Sequence, residues 1–257
     1  MAKREGKRIA YSLTKQDIVQ GLKKLGVTKG MELEVHSSLS KFGYVAGGAD
    51  TVISALKEAC GENGSIFMPA LRLSPEYKLT KKDKQLGITQ KIKILPANCE
   101  RSAMGIIADT FRKLPDTQTG EGVFRISGWG KNADKAVSGG LDHVIHHGGK
   151  ALLLGVDIYK LTAMHYVENL LPAPIKDMFR PNDFICTLYP PDQWLIEAGA
   201  PPVKAWYTIQ KMAYEKNMIK DAKIGTCPVM FFDIGEVVQL YARQLQEDPY
   251  KLYGLEK

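Results

Sequence analysis

No run of apolar residues in this chain approaches the ~20 needed to cross a bilayer, which excludes a membrane-spanning helix. The opening Met1-Ala-Lys-Arg-Glu-Gly-Lys-Arg8 has no apolar core behind it to act as a secretory signal, so the cytoplasm is the expected compartment. Cysteine is scarce. Cys60, Cys99, Cys186 and Cys227 lie far apart without a Cys-x-x-Cys pair, which argues against a disulfide framework or a zinc site and reads as four buried thiols. No internal repeat is visible. Acidic residues are outnumbered 28 to 35, a formal charge of +7, yet no aromatic interleaving or nucleic-acid module accompanies the excess.

What is present is enough for a real core. A chain of 257 residues, 44% hydrophobic and 25% charged, fits one large domain or one domain with a lobe. Much of the positive charge is local. Between Arg72 and Lys93 stand Arg72, Lys78, Lys81, Lys82, Lys84, Lys91 and Lys93 against Glu76 and Asp83. This run reads as a solvated surface loop, as a clamp on phosphates, or, least in keeping with its surroundings, as a nucleic-acid contact.

The stretch that organises the chain runs from Leu33 to Pro69. A strand over Glu32 to His36 leads into a loop of hydroxyls and glycines, Ser37 to Gly48. Asp50 is the expected N-cap of a helix with Val52, Ile53, Leu56, Ala59 and Cys60 on one face, Gly61 stops it, and Ser65 to Pro69 is a second strand. That is a βαβ crossover, whose first loop lies at the carboxyl edge of the sheet, where α/β folds bind ligands. Ser37, Ser38 and Ser40 can donate to a ligand's oxygens, and the following helix offers its positive end to an anion. The same composition also suits an ordinary turn.

Elsewhere Thr14 and Asp17 form a capping box for a helix carrying Ile18, Leu22 and Leu25 and ending at Gly26. Leu71 to Asn98 lacks periodicity and reads as an excursion over the cleft. Helices are predicted over Arg101 to Leu114, with Ser102 and Ala103 in the first turn, over Ala133 to His147, and over Thr162 to Leu171. Ala151 to Val156 is a continuous apolar run suited to a central parallel strand. Residues 172 to 222 hold seven of the thirteen prolines and read as a loop-rich lobe with one helix near Val203 to Asn217. Gly225 to Phe232 is a predicted strand, followed by a helix capped by Asp233 and Glu236.

Four segments together resemble the aminoglycoside 3-N-acetyltransferase family. They are VHSSLSKFGYVAGGADTVISAL with GSIFMPA, RSAMGIIADTFRKLP, GWGKNAD with GGKALLLGV, and KIGTCPVMFFDIGEVVQLYARQL, in the family's order across nearly the whole chain. The resemblance implies an α/β fold with a mainly parallel central sheet flanked by helices and an irregular proline-rich lobe, all one domain. It implies acetyl-coenzyme A as co-substrate, no metal, a small-molecule amine as partner, and room for a homodimer. The positions it marks for the coenzyme channel are Ser37, Ser38, Leu39, Ser40, Phe42, Val45, Arg101, Ser102 and Met104.

Acetyl transfer from a thioester to an amine needs a base, a polarised carbonyl and alignment. His165, three residues into the helix expected from Thr162, is the candidate base, with Glu168 at i+3 to orient it and the positive helix end to keep it neutral. A histidine so placed is also a common structural residue, but Thr162-Ala-Met-His-Tyr-Val-Glu168 resembles the family's threonine-x-x-histidine-x-x-glutamate segment. Where many members carry histidine-proline, this chain has Glu121-Gly122, which puts the acceptor in question more than the donor. Glu121 and lobe carboxylates such as Asp177, Asp192 and Glu197 are candidates to bind the acceptor's other amines. Aminoglycosides are polycations, so a basic chain needs its acids gathered in the cleft to hold one. His36 reads as a residue beneath the coenzyme or a satisfied core histidine. His143 and His146, at i and i+3 on one helix side, could face a metal but no third ligand or carboxylate spacing supports it, and with His147 ahead of Gly148-Gly149 they suit a helix C-terminus. A non-catalytic coenzyme A binder is the alternative reading.

Overall fold

The computed structural model describes residues 12–138, 141–199 and 203–255, with the side chains of Val203 and Lys204 excepted. The opening basic octapeptide, the 139–140 pair within the predicted helix Ala133 to His147, and Pro201 and Pro202 of the lobe lie outside the described residues.

Nine strands are described: β1 (Glu32–Ser37), β2 (Ser65–Pro69), β3 (Ile88–Lys93), β4 (Gln118–Thr119), β5 (Ile126–Gly130), β6 (Lys150–Leu154), β7 (Trp194–Ala198), β8 (Lys220–Ile224) and β9 (Cys227–Asp233). Seven form one sheet in the order β4-β5-β2-β1-β6-β9-β8. Its centre is the parallel set expected of a crossover fold, β1 pairing with both β2 and β6. Antiparallel strands complete each side, β5 and β4 beyond β2, and the β9–β8 hairpin beyond β6. Gly225 and Thr226 turn that hairpin, a short link that only antiparallel neighbours allow.

Both faces are covered. Leu33 and Val35 face a core built with the helices Lys15–Leu25, Gly48–Cys60 and Gly105–Phe111. The opposite face packs Phe67, Ala151, Leu153 and Phe232 against Asp142–His146, Val203–Glu215 and Ile234–Glu247. The Thr14/Asp17 capping box and the left-handed Gly26 are where the sequence puts them.

Several boundaries differ from expectation for identifiable reasons. The helix after the serine loop begins at Gly48 with Gly47 as its cap, so Asp50 sits inside the first turn rather than at the cap. Gly47 has φ of 79°, and a Cβ there would meet the Thr51 hydroxyl at 2.5 Å, so the loop needs glycine. The helix expected from Arg101 begins only at Gly105, because Ala103 N–H bonds Leu73 O and draws the preceding segment along the sheet edge. Ala133 to His147 contains two short helices, Lys135–Ser138 and Asp142–His146.

The largest departure is the second sheet. Residues of the basic excursion form β3, which pairs antiparallel with β7 of the lobe, Gln90 opposite Glu197 and Lys91 opposite Ile196. The lobe also holds helices Ala173–Phe179 and Asp183–Leu188, so it is more regular than its prolines imply. Lys91 is buried in an ion pair with Asp83 at 2.6 Å, and Tyr189 donates to the other Asp83 oxygen at 2.6 Å. A charged pair thus takes core positions where periodicity would show only a surface strand.

Candidate active site

The carboxyl edge of β1 gathers the predicted residues from two sides. Beyond Ser37 the chain leaves the sheet, Ser38 N–H bonds Leu154 O at 2.9 Å, and Ser38 and Ser40 share a 3.1 Å hydroxyl contact. Leu39 to Phe42 form a single 3-10 turn. Ser38 and Leu39 are half-buried and Ser40 is exposed, whereas Phe42 and Val45 are buried in the core and support the loop from beneath instead of facing a channel. Gly105 approaches this edge so closely that its Cβ position lies 3.7 Å from Ser37 O. Met104 is therefore a neighbour of the serine loop, and Arg101 is exposed just ahead of it. Ser102 is held firmly: buried Asp109 accepts from its N–H at 2.7 Å and its hydroxyl at 2.9 Å, and Arg112 closes the cluster at 3.1 Å.

His165 enters the same edge from β6. After β6 the chain turns through Ile158–Lys160 and Thr162–Met164, then makes the short helix His165–Glu168. The helix is one turn long and does not begin at Thr162. Nδ1 of His165 meets Glu168 Oε2 at 2.5 Å, and the Trp206 ring stands edge-on at 4.9 Å. With Nδ1–H donated to the carboxylate, Nε2 is left with its lone pair, the form a base requires.

The helix end does not decide the charge of this ring. Loss of solvent around the ring pulls its pKa down, but the Glu168 hydrogen bond and the charges of Glu168, Glu197 and Glu34 outweigh that and raise it above 6.5. The expectation that a positive helix terminus keeps His165 neutral is thus reversed by the carboxylates around it. A one-turn helix has little dipole to oppose them.

Those carboxylates come from three elements: Glu168 from the helix of His165 itself, Glu34 from buried β1, and Glu197 from β7. Glu197 on β7 is pushed up to about 7, chiefly by burial and next by the Glu168 charge, with His165 pulling the other way and Glu76 adding to the rise. Across the register, Gln90 donates to Tyr159 OH at 3.1 Å, which ties the second sheet to the segment after β6. Tyr207 OH donates to Asp157 at 3.2 Å, and its ring stacks near Tyr159 with centroids 6.4 Å apart. Acidic and aromatic side chains therefore gather around His165 in a chain that is basic overall.

Two predicted acceptor residues stand differently. Asp177 is on the helix Ala173–Phe179, exposed and paired with Arg180 at 3.2 Å. Glu121 is exposed in the turn ahead of β5. The sequence reading missed Glu76 and Glu34. Glu76 sits in the basic run, where its sign hides it. Glu34 is hidden by alternation: in Glu32-Leu-Glu-Val-His36 the polar residues share one face, which reads as a solvated face although Glu34 is fully buried. Among the described residues, no group of three or more histidine, cysteine or acidic side chains is placed to hold a metal ion.

Comparison with known proteins points one way. A family model described as aminoglycoside 3-N-acetyltransferase matches residues 35–246. The chain is 31% identical over 273 aligned positions to the SPbeta prophage-derived aminoglycoside N(3')-acetyltransferase-like protein YokD of Bacillus subtilis (strain 168), covering 89% of this chain and 90% of that one. It is 24% identical over 265 positions to aminoglycoside N(3)-acetyltransferase III of Serratia marcescens, covering 91% and 97%. Among solved structures, aminoglycoside acetyltransferase AAC(3)-IVa as apoenzyme superposes with a TM-score of 0.72 at 21% identity, covering 96% of this chain and 93% of that one. The AAC-IIIb binary complex with CoASH gives 0.68 at 19% identity, covering 92% and 97%.

Proposed function

The chain belongs to the aminoglycoside 3-N-acetyltransferase family, and from that premise we propose that it moves the acetyl group of acetyl-coenzyme A to an amine of an aminoglycoside or related amino sugar, with His165 as base. The observation that carries this reading is the 2.5 Å His165–Glu168 contact at the sheet edge that also bears the serine loop.

His165 Nε2 takes the proton from the acceptor ammonium or from the amine as it attacks, and Glu168 stabilises the resulting imidazolium. The donor carries its own good leaving group, so alignment and base are what the protein supplies. Ser37, Ser38, Leu39 and Ser40, with Arg101, Ser102 and Met104 alongside, hold the pantetheine and phosphates; Phe42 and Val45 brace that loop. Glu197, Glu76 and Asp157 hold the acceptor's other ammonium groups against Tyr159 and Tyr207. Glu121 and Asp177 meet larger acceptors at the rim. The acidic cleft supports a cationic acceptor in spite of the net charge of +7. The chemistry suits the cytoplasm, where acetyl-coenzyme A is made.

Thiol release from acetyl-coenzyme A, measured against a panel of aminoglycosides and simpler amino sugars, tests this. Acceptor-dependent release is expected, and His165→Ala should lower kcat by about a hundredfold or more while still binding coenzyme A. Because the base acts unprotonated and its pKa is raised, kcat/KM should climb through a midpoint above pH 6.5. Wild-type turnover in the alanine variant removes the proposed base.

A further inference from the structure

We propose that Glu34 and His36 are positioning residues, holding from strand β1 the Thr162–Met164 turn that aims His165. The inference rests on His165 being the base proposed above, but its geometry stands independently. Glu34 and His36 alternate onto the same face of β1 and are 0% and 6% exposed, in the middle of the sheet. A carboxylate taken out of water there is costly unless it is paired and hydrogen-bonded. Among the described residues its one ion-pair partner is His36, with Nε2 at 2.7 Å from Oε1.

The same oxygen accepts the Ala163 N–H at 3.2 Å, and Thr162 N lies 3.2 Å from His36 Nε2. The Thr162–Met164 turn has no side-chain cap of its own. Its first two amides are met instead by β1, across more than a hundred residues of sequence. His36 Nε2 serves one neighbour at a time, as N–H to Glu34 or as lone pair to Thr162, whereas Glu34 can hold Ala163 throughout. Oε2 of Glu34 is buried with no partner, so the carboxylate keeps acceptor capacity that nothing nearby quenches.

The Glu34 charge also reaches His165. It acts together with Glu168 on the base's own helix and Glu197 on β7, and all three favour the imidazolium. Trp206 packs on the ring without charge. Removing Glu34 alone leaves the other two carboxylates and exposes its share.

Titration of the His165 ring by histidine NMR, assigned with His165→Ala, tests the proposal in the full chain without needing turnover. In Glu34→Gln, which keeps an oxygen for Ala163 but no charge, the His165 midpoint should fall by about half a pH unit or more. The acid limb of kcat/KM should move down with it, the acetyl-coenzyme A KM should stay within about twofold, and Glu34→Asp should restore the midpoint. An unmoved His165 midpoint in folded Glu34→Gln overturns the reach of the Glu34 charge, and a folded Glu34→Leu variant, which offers Ala163 no oxygen, overturns the positioning role if its His165 midpoint and kcat both match the parent. If that variant does not fold, hydrogen exchange on the unaltered chain decides: the Ala163 amide should be protected like the centre of β1, and exchange at the rate of a frayed turn overturns it. If no acceptor supports turnover while the NMR result holds, the transfer reading fails and the positioning role stands.

Discussion

Glu197 shows how one side chain couples binding to stability. Its pKa is about 7 in the folded chain against 4.5 for an ordinary glutamate, because it is buried beside Glu168. Between those two values the folded state binds the proton more tightly than the unfolded one, so stability falls as pH rises through this window and is flat above it. Glu197→Gln removes that loss. We expect the variant to be more stable than the parent by roughly 1–2 kcal/mol at pH 8, discounting for the part of the side chain that stays wet, and no different near pH 4, read by urea denaturation at both pH values. The same change should raise the KM of a multiply charged acceptor by about tenfold, since a charge-assisted hydrogen bond is worth about 1.5–3 kcal/mol. On the proposed function, stability is given up where an acceptor ammonium would sit.

At the scale of elements, the β3–β7 sheet depends on Asp83. Asp83 caps its own short helix, pairs with Lys91 and accepts from Tyr189; burial opposes ionisation, but these bonds hold its carboxyl far below the usual range. Asp83→Ala would leave Lys91 buried without its acid, a loss of about 3–5 kcal/mol. Amide exchange in Ile88–Lys93 and Trp194–Ala198 should accelerate before that of β1 and β6, because the small core of Ile88, Ile185 and Ile196 has little else to hold it. Acid should act likewise, the contribution being present above pH 3.8 and lost well below it. This sheet was also the part of the fold that sequence reading did not find. The crossover, the capping box at Thr14 and the apolar run of β6 were legible because local periodicity and caps state them outright. β3 was not, since a lysine buried against an aspartate reads as surface, and its partner strand lies a hundred residues on. In the candidate site, His165 with Glu168 was marked by the resemblance of Thr162 to Glu168 to the family segment more than by i, i+3 spacing, whereas Glu76 and Glu34 were not marked: what they could do depends on what faces them in the folded chain.

Over the whole molecule, the positive excess and the acidic cleft act at different ranges. Screening confines each charge to roughly 8 Å at physiological salt, so an arriving polycation is governed inside the cleft by Glu168, Glu197 and Glu76 and not by the net +7. On the proposed function, the polyanionic donor is drawn by the net positive charge instead. Raising NaCl from about 20 to about 300 mM should raise the acetyl-coenzyme A KM several-fold, with a smaller change for a monoamine acceptor; steady-state kinetics over that range gives the comparison. The second sheet is stitched from two stretches far apart in the chain, and neither belongs to the crossover that carries the serine loop. On the proposed function, a descendant can therefore rewrite the face proposed to meet the acceptor, residue by residue along Gln90, Ile92, Leu195 and Glu197, while inheriting unaltered the half proposed to handle the thioester. Novel resistance profiles would then arise by drift in this outer panel, and swapping both stretches together between relatives should carry acceptor preference with them.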